Sequence, residues 1–230
     1  MFFIKRYKTH TFFRLENACE QVGVYPQTKS FDSDYDIQAP DSAYHLKSNT
    51  IPAFTPNFET VLLYKKAKLT DLISFFFGEP LLLHQKVKTI LERHTLPRHR
   101  FYGTTLVQNQ KIISDYHCFL MESKAINWLD VKQSTFSYRE SNPLLKEQKT
   151  YKIAPATLDE LSEAVKKALL EDLTLVREKI VLDKAVLDFD LFNLSFLLGP
   201  YLLSKRLKEN LESNAVSGIE FRVIDLVIKI

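Results

Sequence analysis

A stretch of 32 residues occurs twice in this chain, 120 residues apart, and the copies align without a gap. Residues 76–107 read FFGEPLLLHQKVKTILERHTLPRHRFYGTTLV, and residues 196–227 read FLLGPYLLSKRLKENLESNAVSGIEFRVIDLV. Ten of the 32 positions are identical, among them Leu82/Leu202, Leu83/Leu203, Lys88/Lys208, Leu91/Leu211, Glu92/Glu212 and Phe101/Phe221. Chance at ordinary residue usage supplies roughly two. Such self-similarity means that one folding unit is used twice. In each copy an apolar segment leads into a helix. Leu83, Val87, Ile90 and Leu91 fall on one helical face, as do Leu203, Leu207 and Leu211. Ser204 is a good N-cap. A short turn follows, and Gly218 suits a helix-to-strand turn that needs positive φ. Strands are then expected from Phe101 and Phe221, strongest in IEFRVIDLVIKI. The copies should therefore form equivalent helix–strand units, related by a pseudo-twofold axis. Leu82, Leu83, Val87, Leu91, Phe101, Leu202, Leu203, Leu207, Leu211 and Phe221 are expected in the core.

The rest of the chain reads as an α+β fold, a mixed or antiparallel sheet with a few helices, around the duplicated unit at about 76–107 and 196–227. An N-terminal strand is expected at Phe2–Tyr7, followed by irregular chain. Residues 30–57 are rich in Asp, Ser, Pro and Asn and read as a long surface loop. Further strands are expected at Glu59–Tyr64, Lys111–Glu122, Ala125–Val131 and Ser134–Tyr138, with a polar loop over 139–152. Thr157 opens a helix, with Glu160 completing a capping box. Leu158, Leu161, Val165, Ala168, Leu169 and Val176 mark its expected buried face, and Ile180–Leu187 reads as extended. The expected division is an N-terminal strand and loop over 1–60 and an α+β body over 61–230, either continuous or in two packed halves.

Only five glycines occur, and no two lie within ten residues of each other. Loops that cradle phosphate need several close glycines so that backbone N–H groups can approach the anion. A P-loop, a dinucleotide fingerprint and a kinase loop are thereby excluded, and GxSxG is absent. No cofactor is expected. The net charge of +3 is too small for a nucleic-acid footprint. Cys19 and Cys118 lack paired spacing and read as buried, reduced thiols of a cytoplasmic protein. The apolar N-terminal patch is too short for a signal peptide, and no run approaches a membrane span.

Other combinations carry weak signals. His94, His99, His117 and Cys118 straddle a helix end and a strand, which is poor spacing for zinc. The histidines read as exposed polar residues. Asp32-x-Asp34-x-Asp36 imitates a calcium loop, but Ile37 and Ala43 stand where Gly and Glu are needed. No metal is expected. The basic run from His84 to Arg100 reads as the solvated face of a helix and its C-terminal turn. Trp128, the one tryptophan, is expected in the core.

The stretch DLFNLSFLLGPYLLSKRLKENLESNAVSGIEFRVI resembles the C-terminal signature of an immunity-protein family from bacterial polymorphic-toxin systems. The matching residues are Asp190, Leu191, Phe192, Ser204, Leu207, Leu211, Gly218 and Phe221. WLDVKQSTF, with Asp130 and Ser134, is similar to that family's central strand region. The resemblance covers about residues 70–230. It implies a non-enzymatic cytoplasmic protein that binds and neutralises a cognate toxin. It brings no catalytic residues. The expected contact surface is the 30–57 loop, with Asp32, Asp34, Tyr35, Asp36, Asp41 and Tyr44 facing a basic partner. The competing readings are an enzyme with an unmotifed polar cleft and a weak nucleic-acid-binding module.

Overall fold

The computed structural model describes residues 7–47, 50–77, 80–122, 125–140, 149–194 and 201–230. The fold is α+β, with three α-helices and fourteen strands among the described residues. None of these helices is long and apolar enough to cross a membrane. The chain divides into two compact units. One comprises Phe12–Lys124 and Asp188–Ile224, the other Met1–Thr11, Ala125–Leu187 and Asp225–Ile230.

The larger unit holds the helices of both repeat copies. Its six-stranded sheet runs in the order β2 (Thr28–Phe31), β3 (Thr60–Leu63), β6 (His99–Gln108), β7 (Lys111–Met121), β5 (Leu81–His84), β4 (Leu72–Ile73). Every neighbouring pair is antiparallel except β3 with β6, where Val61 faces Leu106. Helix α1 (Gln85–Leu91) follows β5 directly. The second copy repeats this plan with β12 (Leu191–Phe192), β13 (Leu202–Leu203), α3 (Lys205–Ser213) and β14, which runs Ile219–Lys229 from this unit into the other. Leu72 faces Leu83 in the first copy, and Leu191 faces Leu203 in the second.

The strand corresponding to β7 comes from the opposite end of the chain. β1 (Tyr7–Asn17) lies between β13 and β14. Phe13 faces Leu203 as His117 faces Leu83, and Arg14 faces Leu202 as Cys118 faces Leu82. The second copy is thus a permuted version of the first, closed by the N-terminal strand. The described strand begins at Tyr7 and continues to Asn17, where irregular chain was expected; its expected beginning, residues 2–6, lies outside the described residues. Phe12 and Leu15 are buried on it, which favours pairing over loop.

The two copies pack around one apolar cluster. It contains Leu83, Val87, Ile90 and Leu91 from the first copy and Leu203, Leu207 and Leu211 from the second, with Phe119, Leu191 and Tyr201. The expected helical faces are therefore the buried ones. Ser204 caps α3 by accepting a hydrogen bond from the Leu207 N–H, and His84 Nδ1 accepts from the Lys86 N–H at the start of α1. Phe101 and Phe221 differ from expectation, being half-buried. Lys88 lies 5.5 Å above the Phe101 ring and Lys208 5.5 Å above that of Phe221, so both copies set the same cation over the same aromatic.

Two aspartates tie the copies together reciprocally. Asp71 precedes β4 and accepts from the N–H and hydroxyl of Ser217, each at 2.8 Å, in the turn after α3. Asp190 precedes β12 and accepts at 3.1 Å from the N–H of Thr95, in the turn after α1. Each carboxylate also binds the cation of its own copy's helix, Lys86 or Arg206. Each copy thus holds the other's helix-to-strand turn, as a twofold relation would produce. Gly218 completes this arrangement with φ +84°, and a Cβ there would collide with the Leu72 carbonyl oxygen.

The smaller unit contains an antiparallel sheet in the order β10 (Leu173–Lys179), β8 (Thr135–Glu140), β9 (Thr150–Ile153). Helix α2 (Leu158–Leu170) buries Leu161 and Ala168. Thr157 accepts from the Glu160 N–H, and Glu160 accepts in turn from the Ala156 N–H, close to the expected capping box. In the same unit β11 (Val181–Asp183) pairs parallel with the 227–229 end of β14.

Several expectations fail in the smaller unit. Ala125–Val131 is not extended: short 3-10 turns occupy Ala125–Trp128 and Val131–Gln133, and the Asp130 carboxylate accepts from the Gln133 N–H to close the second. Trp128 is half-buried. Thr150–Ile153 is a strand that begins inside the expected 139–152 loop, because pairing with β8 overrides its polar composition. Leu169 is 80% exposed, and the helix stops at Leu170, where Asp172 takes φ +51°. Val176 consequently lies on β10 rather than on the helix. Within Ile180–Leu187 only Val181–Asp183 is a strand, and a 3-10 turn begins at Lys184.

Candidate functional site

The 30–57 segment, which precedes the first repeat copy, is mostly irregular, as expected, and it is pinned at several points. β2 ends at buried Phe31, and a turn brings the Tyr35 N–H to the Asp32 carbonyl. The Tyr35 ring stacks on Phe31 with centroids 4.2 Å apart and planes at 13°. Its hydroxyl donates to the Asn57 carbonyl at 3.1 Å and accepts from the Ala43 N–H at 2.6 Å. Asn57 N–H reaches the Asp41 carbonyl at 2.7 Å. Tyr35, expected as a contact residue, is thus half-buried and holds the two limbs of the loop together.

The four aspartates behave differently. Asp32, Asp34, Asp36 and Asp41 are exposed. Asp32 and Asp36 accept from the nearby N–H groups of Ser33 and Gln38, which orients them without neutralising them. Among the described residues no cation pairs with any of the four. Tyr44 is 52% exposed and Ile37 51%. The Tyr44 ring meets Phe77 edge-on at 5.0 Å and lies 6.2 Å from Tyr35.

Beneath Tyr44 is a set of rings that sequence reasoning did not assign to the site. Phe75, Phe76 and Phe77 are half-buried, and each lies within 6.1 Å of Phe31. Phe58 and Tyr102 extend the cluster inward. One signal for it was present in the sequence: three consecutive phenylalanines cannot all face one side of a strand, whose side chains alternate. The resulting surface combines a rigid aromatic centre with unpaired carboxylates, a composition suited to binding a cationic protein surface.

The histidines and cysteines are dispersed. His94 is buried, contrary to expectation; its Nδ1 lies 3.1 Å from Asp190 Oδ2, off hydrogen-bond alignment, and its Nε2 is 3.0 Å from Asn210 Nδ2. His99 contacts the Pro97 carbonyl, and His117 Nε2 the Gln85 amide oxygen at 2.6 Å. Cys118 is buried, which pushes its thiol pKa well up, whereas Cys19 is exposed in the turn that follows β1. No group of three or more His, Cys, Asp or Glu among the described residues could hold a metal ion.

The strongest electrostatic perturbations belong to the frame. Burial raises the Asp190 pKa, but hydrogen bonds from Arg206, Ser204 and Thr95 outweigh it and hold the carboxyl far below the usual range. Asp71 is likewise depressed: burial is overcome by Ser217 and Lys86. Burial, with the Asp71 charge, pushes Tyr116 up to about 12. Compared with known protein families and with curated proteins, the chain matches none.

Proposed function

We propose that this chain is a non-enzymatic binding protein, an immunity protein that neutralises a cognate bacterial toxin domain in the cytoplasm by covering its surface. One observation carries the reading: exposed Tyr44 stands on a packed aromatic cluster, in a loop that bears four exposed aspartates with no cation paired to them. A few aromatic anchors within a charged surround supply most of the affinity of a protein interface. The charges favour a basic partner and raise its association rate. The family signature supports the reading indirectly. Asp190, Ser204 and Gly218 form a clamp, a helix cap and a positive-φ turn, so the resembling residues hold a frame and leave recognition to the loops.

The test is co-expression with the neighbouring toxin domain, together with calorimetry on the purified pair. Wild type should restore growth. Tyr44→Ala should weaken binding about 30-fold or more, the cost of a hot-spot aromatic. Asp34→Lys combined with Asp36→Lys should slow association and remove most of its salt dependence. Unchanged affinity in both variants would exclude the loop, and failure to bind the toxin would overturn the immunity reading.

A further inference from the structure

On the larger unit, the β6–β7 pair beside the start of α1 carries an open depression of about 560 Å³, lined by Glu59, Gln85, Gly103, Thr104, Asp115 and His117 among others. Its construction is local to the first repeat copy. Gly103 sits in mid-strand opposite His117, and a Cβ placed there would meet nothing within 4 Å. An interior glycine weakens a strand, and one that opens onto empty space marks a place where another group can approach the backbone. A bulge follows: β7 has two residues, Ser114 and Asp115, opposite Thr105 of β6, and Asp115 takes φ +68°. Bulges re-aim side chains and cluster beside functional sites.

The second copy serves as an internal control, because the same frame there lacks the depression's polar set. Val223 occupies the Gly103 position and is 60% exposed. Phe13 faces Leu203 where His117 faces Leu83, and it lies under Lys208 at 5.1 Å. Lys205 replaces Gln85 and pairs with Glu209 at 3.6 Å. The frame therefore folds with different side chains on this surface, and the glycine, histidine and glutamine of the first copy are not structural necessities.

The chemistry of the depression selects a cation. Glu59 and Asp115 are exposed carboxylates, and no lysine or arginine lines it. Burial and the nearby Lys88 lower the His117 pKa, so the ring is neutral at pH 7 and adds no positive charge. With Nε2–H donated to Gln85, its Nδ1 remains an acceptor. A planar guanidinium, with five donors, matches carboxylates flanked by neutral acceptors better than a point charge does.

We propose that this depression is a binding site for an arginine side chain presented by a partner protein, with Glu59 and Asp115 as its counter-charges and Gly103 as its floor. The partner's identity as a toxin rests on the reading above, whereas the site itself does not. The probe is Nα-acetyl-arginine methylamide, titrated into the whole chain and followed by amide and imidazole NMR shifts. Saturable shifts are expected at Gly103 and His117, with at least fivefold weaker binding in Asp115→Asn, a residue that tolerates the same positive φ. Gly103→Val, the residue the second copy uses, should remain folded and lose the shifts. No saturable shifts, equal shifts with the neutral citrulline analogue, or shifts retained in Gly103→Val would each overturn the site. Arginine binding that persists while the chain fails to engage the toxin would instead overturn the immunity reading and leave the site standing.

Discussion

Single residues in this protein divide into those that hold the frame and those that the frame displays. Asp190 belongs to the first group: it is 5% exposed and receives hydrogen bonds from Arg206, Ser204 and Thr95. Asp190→Ala strands the Thr95 N–H and the Ser204 hydroxyl, so a loss of about 3 kcal/mol in chemical denaturation is expected. Asp71 and Asp190 also set the acid limit. Both carboxyls have a folded pKa below the unfolded value of about 3.9. Their stabilisation is therefore complete above that value and is lost as pH falls through the folded pKa. Stability measured by denaturant midpoint should drop steeply below about pH 4, and Asp71→Asn with Asp190→Asn should flatten that limb. An unchanged slope would show that other carboxylates govern acid unfolding. Tyr44 belongs to the displayed group, and replacing it should leave the midpoint where it was.

At the level of elements, the helix of each copy is short and gains its stability from packing. A helix of seven or nine residues, the lengths of α1 and α3, is marginal alone. Leu91 and Leu211 are equivalent, nearly fully buried and members of one cluster. Each change to Ala should cost roughly 2–5 kcal/mol. Because they share a core, the double variant should depart from additivity in a mutant cycle. Strict additivity would mean that the two helices do not relax into a common space. The helical faces and the Ser204 cap were legible in the sequence because periodicity and capping are local. The half-buried state of Phe101 and Phe221 was not, since the same ring can face a core or lie beneath a lysine.

For the whole molecule, the permuted duplication gives the N-terminal strand an unusual weight. β1 occupies the place in the second copy that β7 fills in the first. Deleting residues 1–17 would uncover β13 and β14 and remove the buried Phe12 and Leu15 from the core. The truncated chain should be insoluble or unfolded by circular dichroism, and a cooperative melt near that of the full chain would refute the permutation. Terminal segments are usually dispensable unless tied into a sheet, which is the condition met here.

The amino-acid sequence by itself determined the α+β class, the two helix–strand copies and their buried leucines, because these follow from spacing along a few turns of chain. It also determined the polar 30–57 loop, whose prolines and aspartates oppose regular structure. Only the tertiary structure decided that β1 closes the second copy, that Phe75–Phe77 underlie Tyr44, and that Asp71 and Asp190 clamp across the repeat. Some of those pairings join residues 190 positions apart or more, as Phe13 and Leu203 show. Their energy comes from burial and hydrogen bonding completed in three dimensions, and no local pattern of side chains encodes which distant partner completes them.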